Sequence, residues 1–402
     1  MENTGIHGPL TNVRILDLST MIAAPFGATL LGDFGAEVIK VELPGRGDSL
    51  RSMGPFKGEE PLRWPGLARN KKSLTLDLHH KEGKDILKKL VKKSDVVIEN
   101  FRPGTLEKWG VGYEELKREN EDIIMMRVTG YGQTGPNGHK AGFGTPATAY
   151  SGFTYLHGYP DRPPISPSFS LLDYITGVYV AFAVSAALYH REKDNESGQM
   201  IDMGLYESVF RMMEFLVTDY DQNGNIKERS PGLSGHSAPA GTFRTKDKHW
   251  VVLVTSSDST FNRLAKAMDR KDMLEDERFK TNSVRLENFE LTNGIVAEWV
   301  EKYTRRELQS LLDEYGVPVS PINSIEDIFK DEHYQARENI IEVDHPRLGK
   351  VKMPGITPKF SKTPGGIQRI APDLGEHNED VLINLLNYSE SDIEKLKEKS
   401  II

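Results

Sequence analysis

Cysteine is absent from all 402 residues. That absence excludes disulfides, thiolate nucleophiles and cysteine-rich zinc sites, and it fits an intracellular, cytoplasmic protein. A basic excess is missing too. Against 59 Asp and Glu stand 51 Lys and Arg, a formal charge of -8. No nucleic-acid partner is expected from such a balance, although local Lys and Arg clusters can still hold a small phosphorylated molecule. The opening MENTGIHGPL has no basic-then-apolar signal order. The longest apolar run, Tyr174 to Tyr189, is broken by Thr176, Gly177 and Ser185, so no membrane span is expected.

Familiar catalytic motifs are also missing. There is no G-x-x-x-x-G-K-[ST] P-loop, no G-x-S-x-G elbow (GLSGH is one residue out) and no H-E-x-x-H, so no metal is expected. Gly130, Gly132 and Gly135 spell G-x-G-x-x-G after a strand. However, Pro136, Gly138 and Gly142 stand where the pyrophosphate-binding helix would begin, and no acid follows at the ribose position.

What is present is an alternation of two periods. Val13 to Leu18, Glu37 to Glu42, Ser73 to Leu78, Asp95 to Glu99 and Ile123 to Thr129 read as short buried strands. Helical stretches over Pro25 to Phe34, Lys81 to Lys93 and Tyr113 to Glu119 lie between them. Such alternation predicts α/β architecture with right-handed crossovers and a parallel sheet, whose ligands sit beyond the carboxyl ends of the strands. Gly130 to Ser170 reads as a long irregular loop. From Thr242 a hairpin and three helices predict a second, smaller α+β domain. The expected organisation is a large domain over 1–200 rejoined by 375–402, a linker over 201–224, the small domain over 225–330 and a return linker over 331–374.

One carboxylate stands out. In SFSLLDYITGVYVAFAV, Asp173 fronts an apolar helix expected over Asp173 to His190. Two roles are open from spacing alone: an N-cap satisfying free amides, the commoner use of such an acid, or a reactive group at the lip of buried structure. A small Gly177 one turn on would let backbone approach a reacting carbonyl.

A set of segments in order carries a family resemblance: VRILDLSTMIAAPFGATLLGDFGAEVIKVELPGRGD, NKKSLTLDL, DVVIENFRPGTLEKWG, GYGQTGP, LLDYITG, SGQMIDMGLYE, GVPVSPI, VDHP, MPGITPKFSKTP and LGEH. Together they resemble the class III coenzyme A transferases, the carnitine dehydratase/bile-acid inducible family, over nearly the whole chain. The resemblance implies a Rossmann-like large domain, a smaller domain, long linkers and an interlocked homodimer. It implies an enzyme that moves CoA from an acyl-CoA donor to a carboxylic acid acceptor, with Asp173 as nucleophile and aspartyl anhydride and aspartyl-CoA intermediates. By motif match its CoA contacts fall on Ile22, Ala23, Leu76, Asp77, Leu78, His79, Asn100, Phe101, Arg102, Lys108 and Lys140. Lys71 and Lys72 are further phosphate candidates, and Arg46, Arg51, Arg63 and His236 are candidates for an acceptor carboxylate, with none singled out.

The sequence departs from the family pattern at Ile22 and Leu43, and Gly142-Phe143-Gly144 replaces a common G-F-D step. Two rival readings follow from the same scaffold. An acyl-CoA racemase would pair the aspartate with a histidine, but Phe143 holds that position and carries no proton; α-deuterium exchange in D2O without an acceptor acid would mark it. A non-catalytic acyl-CoA-binding protein would bind CoA esters and never be covalently labelled.

Overall fold

The computed structural model describes residues 8–230, 232 and 235–402. The opening stretch through His7 lies outside the described residues, as do Pro231, Leu233 and Ser234. Two compact units result: Met1–Thr154 with Ser166–Ile226 and Gln335–Ile402, and Tyr155–Ile165 with Lys227–Tyr334.

The first unit is built on six strands: β1 (Arg14–Asp17), β2 (Glu37–Glu42), β3 (Lys71–Thr75), β4 (Val96–Glu99), β5 (Ile124–Thr129) and β6 (Met200–Gly204). They pair in the order β3-β2-β1-β4-β5-β6, every pair parallel. Helices α1 (Ala23–Asp33), α2 (Trp64–Ala68), α3 (Lys81–Val91), α4 (Thr105–Trp109), α5 (Tyr113–Glu119), α6 (Gly144–Tyr150), α7 (Leu171–Asp194), α8 (Leu205–Phe210) and α9 (Glu214–Asn223) connect or follow the strands.

The pleat sends neighbouring residues to opposite faces. On one face Ile15 and Val38 pack with Ala24 and Ala28 of α1 and Val180 and Val184 of α7. On the other Leu16 and Ile39 pack with Ile86 and Leu90 of α3 and with Val381 and Ile393 from the end of the chain. Each such fully buried aliphatic side chain contributes roughly 1.5 to 3 kcal/mol, an upper value for a compact denatured chain.

Edge strand β3 is covered by the C-terminal segment: His377 N–H donates to the Ser73 carbonyl, and Thr75 N–H donates to Asn378. That contact blunts an otherwise open edge.

The second unit holds an antiparallel sheet of β7 (Ala240–Arg244), β8 (Trp250–Val254) and β9 (Val319–Pro321) in the order β9-β8-β7. Its sheet packs with α10 (Asp258–Ala267), α11 (Phe289–Val300) and α12 (Arg305–Glu314) through Phe243, Leu253, Phe261, Trp299 and Leu308.

Two expectations are corrected. The Gly- and Pro-rich stretch from 130 to 170 is not wholly irregular, because α6 lies within it. The Pro-rich return segment contains a regular antiparallel hairpin, β10 (Ile340–His345) with β11 (Gly349–Pro354). Beyond LGEH the chain winds as a widened helical turn over Asp380–Leu385, then forms a separate helix α13 (Glu390–Glu398), capped by Ser389.

Candidate active site

At the carboxyl ends of β1 to β4 lies a cavity of about 150 Å³. Its walls are largely apolar, with Leu18, Val41, Leu76 and Leu78 on the strand side and Phe101 and Trp109 meeting edge to face at 5.2 Å. His79 also lines it, its ring 4.7 Å from Trp109.

Beneath the cavity the floor is charged but fully compensated. Asp17, Lys40 and Lys71 are each at most 1% exposed. Lys71 meets Asp17 at 2.8 Å, and Lys40 meets Asp48 at 2.9 Å and Asp17 at 3.7 Å. Burial alone would raise the Asp17 pKa, but Lys40 and Lys71 outweigh it and hold the carboxyl below its ordinary range. Burial likewise pulls the Lys40 ammonium down, and Asp17, Asp48 and Glu42 outweigh that, pushing it up to about 12.

The turn after β1 is held open by side chains rather than by a helix cap. Asn100 accepts from Thr20 N–H at 2.9 Å and donates to the Thr20 carbonyl at 2.7 Å. Met21 takes a left-handed φ of 72°, unusual for a residue with a side chain, and its N–H donates to Asp48. Ile22 and Ala23 follow as buried residues at the start of α1, which has no side-chain cap and no acid in its first turn.

The motif-matched residues therefore separate. Leu76, Leu78, His79 and Phe101 come together in the cavity, and Asn100 shapes its rim through Thr20. Ile22, Ala23 and Asp77 do not line it. Asp77 accepts from the His79 N–H at 2.9 Å. Arg102, Lys108 and Lys140 are exposed and carry no ion pair among the described residues. The idea that Lys71 and Lys72 hold phosphate is corrected: Lys71 is buried against Asp17, and Lys72 bridges Glu37 at 2.7 Å and Asp380 at 2.8 Å. Arg51 is committed too, forked onto Glu42 and lying 3.9 Å over the Trp64 ring.

Asp173 sits in a different kind of place. Helix α7 begins two residues before it, so Ser170 is the N-cap position and Asp173 the third helical residue, not the cap. Its carboxylate is half-buried and lines a small cleft of about 20 Å³. Hydroxyl-bearing Thr145, Thr148, Ser166 and Ser170 share that lining with Phe169; no lysine, arginine or histidine is among the described residues there. Burial pushes the Asp173 carboxyl up to about 6, against a smaller opposing hydrogen bond from Ser170.

Glycines set this geometry. A Cβ on Gly144, the first residue of α6, would stand 2.5 to 2.9 Å from the Asp173 carboxylate atoms, so any side chain there would have to push that carboxylate aside. The sequence recorded Gly144 merely as a missing acid, because a contact across so many residues leaves no local pattern. Gly177 does other work than expected: a Cβ there would lie 2.8 Å from the Ala23 carbonyl and 3.1 Å from Gly27 N. It permits the close crossing of α1 and α7 rather than an approach to a reacting carbonyl. Tyr174 then packs edge-on against Phe26 of α1 at 5.0 Å, which fixes the first turn of α7.

The model of CoA-transferase family III matches residues 10–378. Succinyl-CoA–D-citramalate CoA-transferase of Chloroflexus aurantiacus is 43% identical over 396 residues, 98% of each chain. The beta subunit of succinyl-CoA–L-malate CoA-transferase from the same organism is 44% identical over 406 residues, 100% of each. Among solved structures, a CAIB/BAIF family protein from Brucella suis superposes with a TM-score of 0.83 at 31% identity, covering 94% of this chain and 99% of its own.

Proposed function

The chain belongs to CoA-transferase family III and is a CoA-transferase; on that premise we propose that it carries CoA from succinyl-CoA to a short dicarboxylic acid through the Asp173 carboxylate. The observation that carries this reading is the half-buried, cation-free Asp173 carboxylate, raised to about 6 and lining a small cleft. A carboxylate paired to a lysine is a poor nucleophile because its charge is already stabilised. One left partly desolvated and unpaired gains by bonding to carbon.

The steps balance without ATP. The Asp173 oxygen attacks the thioester carbonyl, the C–S bond breaks, and an aspartyl-succinyl anhydride and CoA thiolate form. The thiolate attacks the aspartyl carbonyl, releasing succinate and leaving an aspartyl-CoA thioester. The acceptor carboxylate attacks that thioester, expelling thiolate and forming a second anhydride. The thiolate then takes the acceptor's acyl group and returns Asp173 as carboxylate. Asp173 stands in the first turn of α7, whose partial positive charge works against the burial that disfavours the ionised carboxylate.

The cavity beyond β1 to β4 suits a purine between apolar walls and the Phe101–Trp109 pair, with exposed Arg102, Lys108 and Lys140 as sources of charge for phosphates. Asp173→Ala should lower turnover by roughly four orders of magnitude while CoA affinity stays within about threefold, read by steady-state transfer and calorimetry. Retained turnover would refute the assignment.

The named relatives act on succinyl-CoA with citramalate or malate, which supports a dicarboxylate pair. A homodimer is part of the proposal. Its support is the outer face of α7, which leaves Val178, Phe182 and Tyr189 exposed, continued by Phe210, Met212, Val217 and Tyr220. Light scattering should give twice the 45.2 kDa chain mass; a monomer at micromolar concentration would contradict it.

A further inference from the structure

Both acids in the proposed exchange carry a second carboxylate that takes no part in the chemistry. Because donor and acceptor pass in turn through the same acyl position on Asp173, one subsite meets that free carboxylate in both. Tight, oriented binding of a carboxylate calls for a cation, best a guanidinium with two parallel N–H donors. The Asp173 cleft supplies hydroxyls and no cation among its described residues.

Most neighbouring cations are already committed. Lys40 and Lys71 are bound into the buried network, Arg51 is forked onto Glu42, and Arg69 is forked onto Asp33 at 2.6 Å. Arg63 differs. It is half-buried, and its Nε–H donates to the Gly54 carbonyl at 2.9 Å. It has no carboxylate partner among the described residues, and neither terminal nitrogen has a protein acceptor there. The fork at its end is held by one bond at its base and is otherwise open.

Its place in the fold brings it to the right neighbourhood. Arg63 directly precedes Trp64, which packs in one apolar cluster with Ile22 and Leu50, against Phe26 and Tyr174. Tyr174 is the residue after Asp173, and its ring lies 6.4 Å from Phe169, which lines the Asp173 cleft. Arg63 and Asp173 thus flank a single cluster. Burial raises the Tyr174 phenol pKa, and the nearby Arg63 charge opposes that rise, whereas Arg63 is not among the groups acting on Asp173 itself. The guanidinium is near enough to Tyr174 to act on its phenol and stands apart from the Asp173 carboxylate, outside the residues that line its cleft. A cation touching Asp173 would instead hold its carboxyl low and blunt its reactivity.

We propose that Arg63 is a specificity-determining residue that receives the free carboxylate of the dicarboxylic acid while its other end is bonded at Asp173. The proposal rests on Asp173 being the acyl-carrying nucleophile, so its test separates the two. The probes are succinyl-CoA and butyryl-CoA, which replaces the free carboxylate with a methyl group, each incubated with full-length protein. The rate of covalent labelling is followed by mass spectrometry.

In Arg63→Met, labelling from succinyl-CoA should slow about 100-fold while labelling from butyryl-CoA changes less than about threefold. Arg63→Lys, which keeps the charge but not the fork, should recover to within about tenfold of the native rate. An unchanged ratio of the two rates in Arg63→Met would overturn the proposal. So would an equal fall for both esters in protein with a native melting curve, which would mark Arg63 as structural. If native protein labels with neither ester, the nucleophile reading fails first and takes this one with it.

Discussion

Asp17 and Asp173 lie in the same unit of the molecule, and burial pushes both toward the neutral form. Their surroundings decide otherwise for one of them. Asp17 ends β1 at 0% exposure between two lysines, and its carboxyl is held below the ordinary range. Asp173 meets glycine backbone and hydroxyls, with no cation, and its carboxyl rises to about 6. The difference teaches that burial alone does not make an acid reactive. Burial with paired charge gives a scaffold under a ligand cavity, and burial without it leaves free energy that bond formation to a substrate can release.

Removing the charge at each position should therefore have opposite effects on stability. The larger is expected at Asp17. Asp17→Asn leaves Lys40 and Lys71 without their common counter-ion and should destabilise the fold by about 3 to 5 kcal/mol at pH 7, measured by denaturant unfolding. Because the native Asp17 pKa is depressed, its contribution is present above the ordinary aspartate pKa and fades as pH falls through the native value. A neutral or stabilising Asp17→Asn would break the comparison.

The smaller effect has the other sign. A carboxyl raised to about 6 makes the folded protein less stable as pH climbs from the unfolded aspartate value through 6. Asp173→Asn should therefore stabilise the protein by about 2 to 3 kcal/mol at pH 8 and by almost nothing at pH 4. Thermal melts of native and variant protein at the two pH values check this. Equal shifts at both would mean that Asp173 is not held in a charge-disfavouring site.

Much of this arrangement was legible in the residues. The five buried strands fell within a few positions of those expected, because their apolar runs are bounded by Gly, Pro and polar residues. Sheet topology then directs attention to the turns after Leu18, Glu42, Thr75 and Glu99. The buried network also left a trace, a lysine inside the apolar strand EVIKVE, although its partner acids, Asp17 and Asp48, are fixed only by folding. Less legible were features that depend on long-range packing. The hairpin of β10 and β11 hides in a Pro-rich tail whose composition imitates a linker. The role of Gly144 arises from the contact between α6 and the first turn of α7, which no local period records. Asp173 itself stood out by position, but its lack of a counter-ion is a property of the assembled cleft.

The most direct measurement of the central claim is peptide mass spectrometry of the native protein incubated with succinyl-CoA and no acceptor acid. A CoA-sized adduct on the peptide containing Asp173, discharged when a dicarboxylic acid is added and absent from Asp173→Asn, is the predicted result. Active protein that shows no such adduct, or carries it on another residue, would contradict the account.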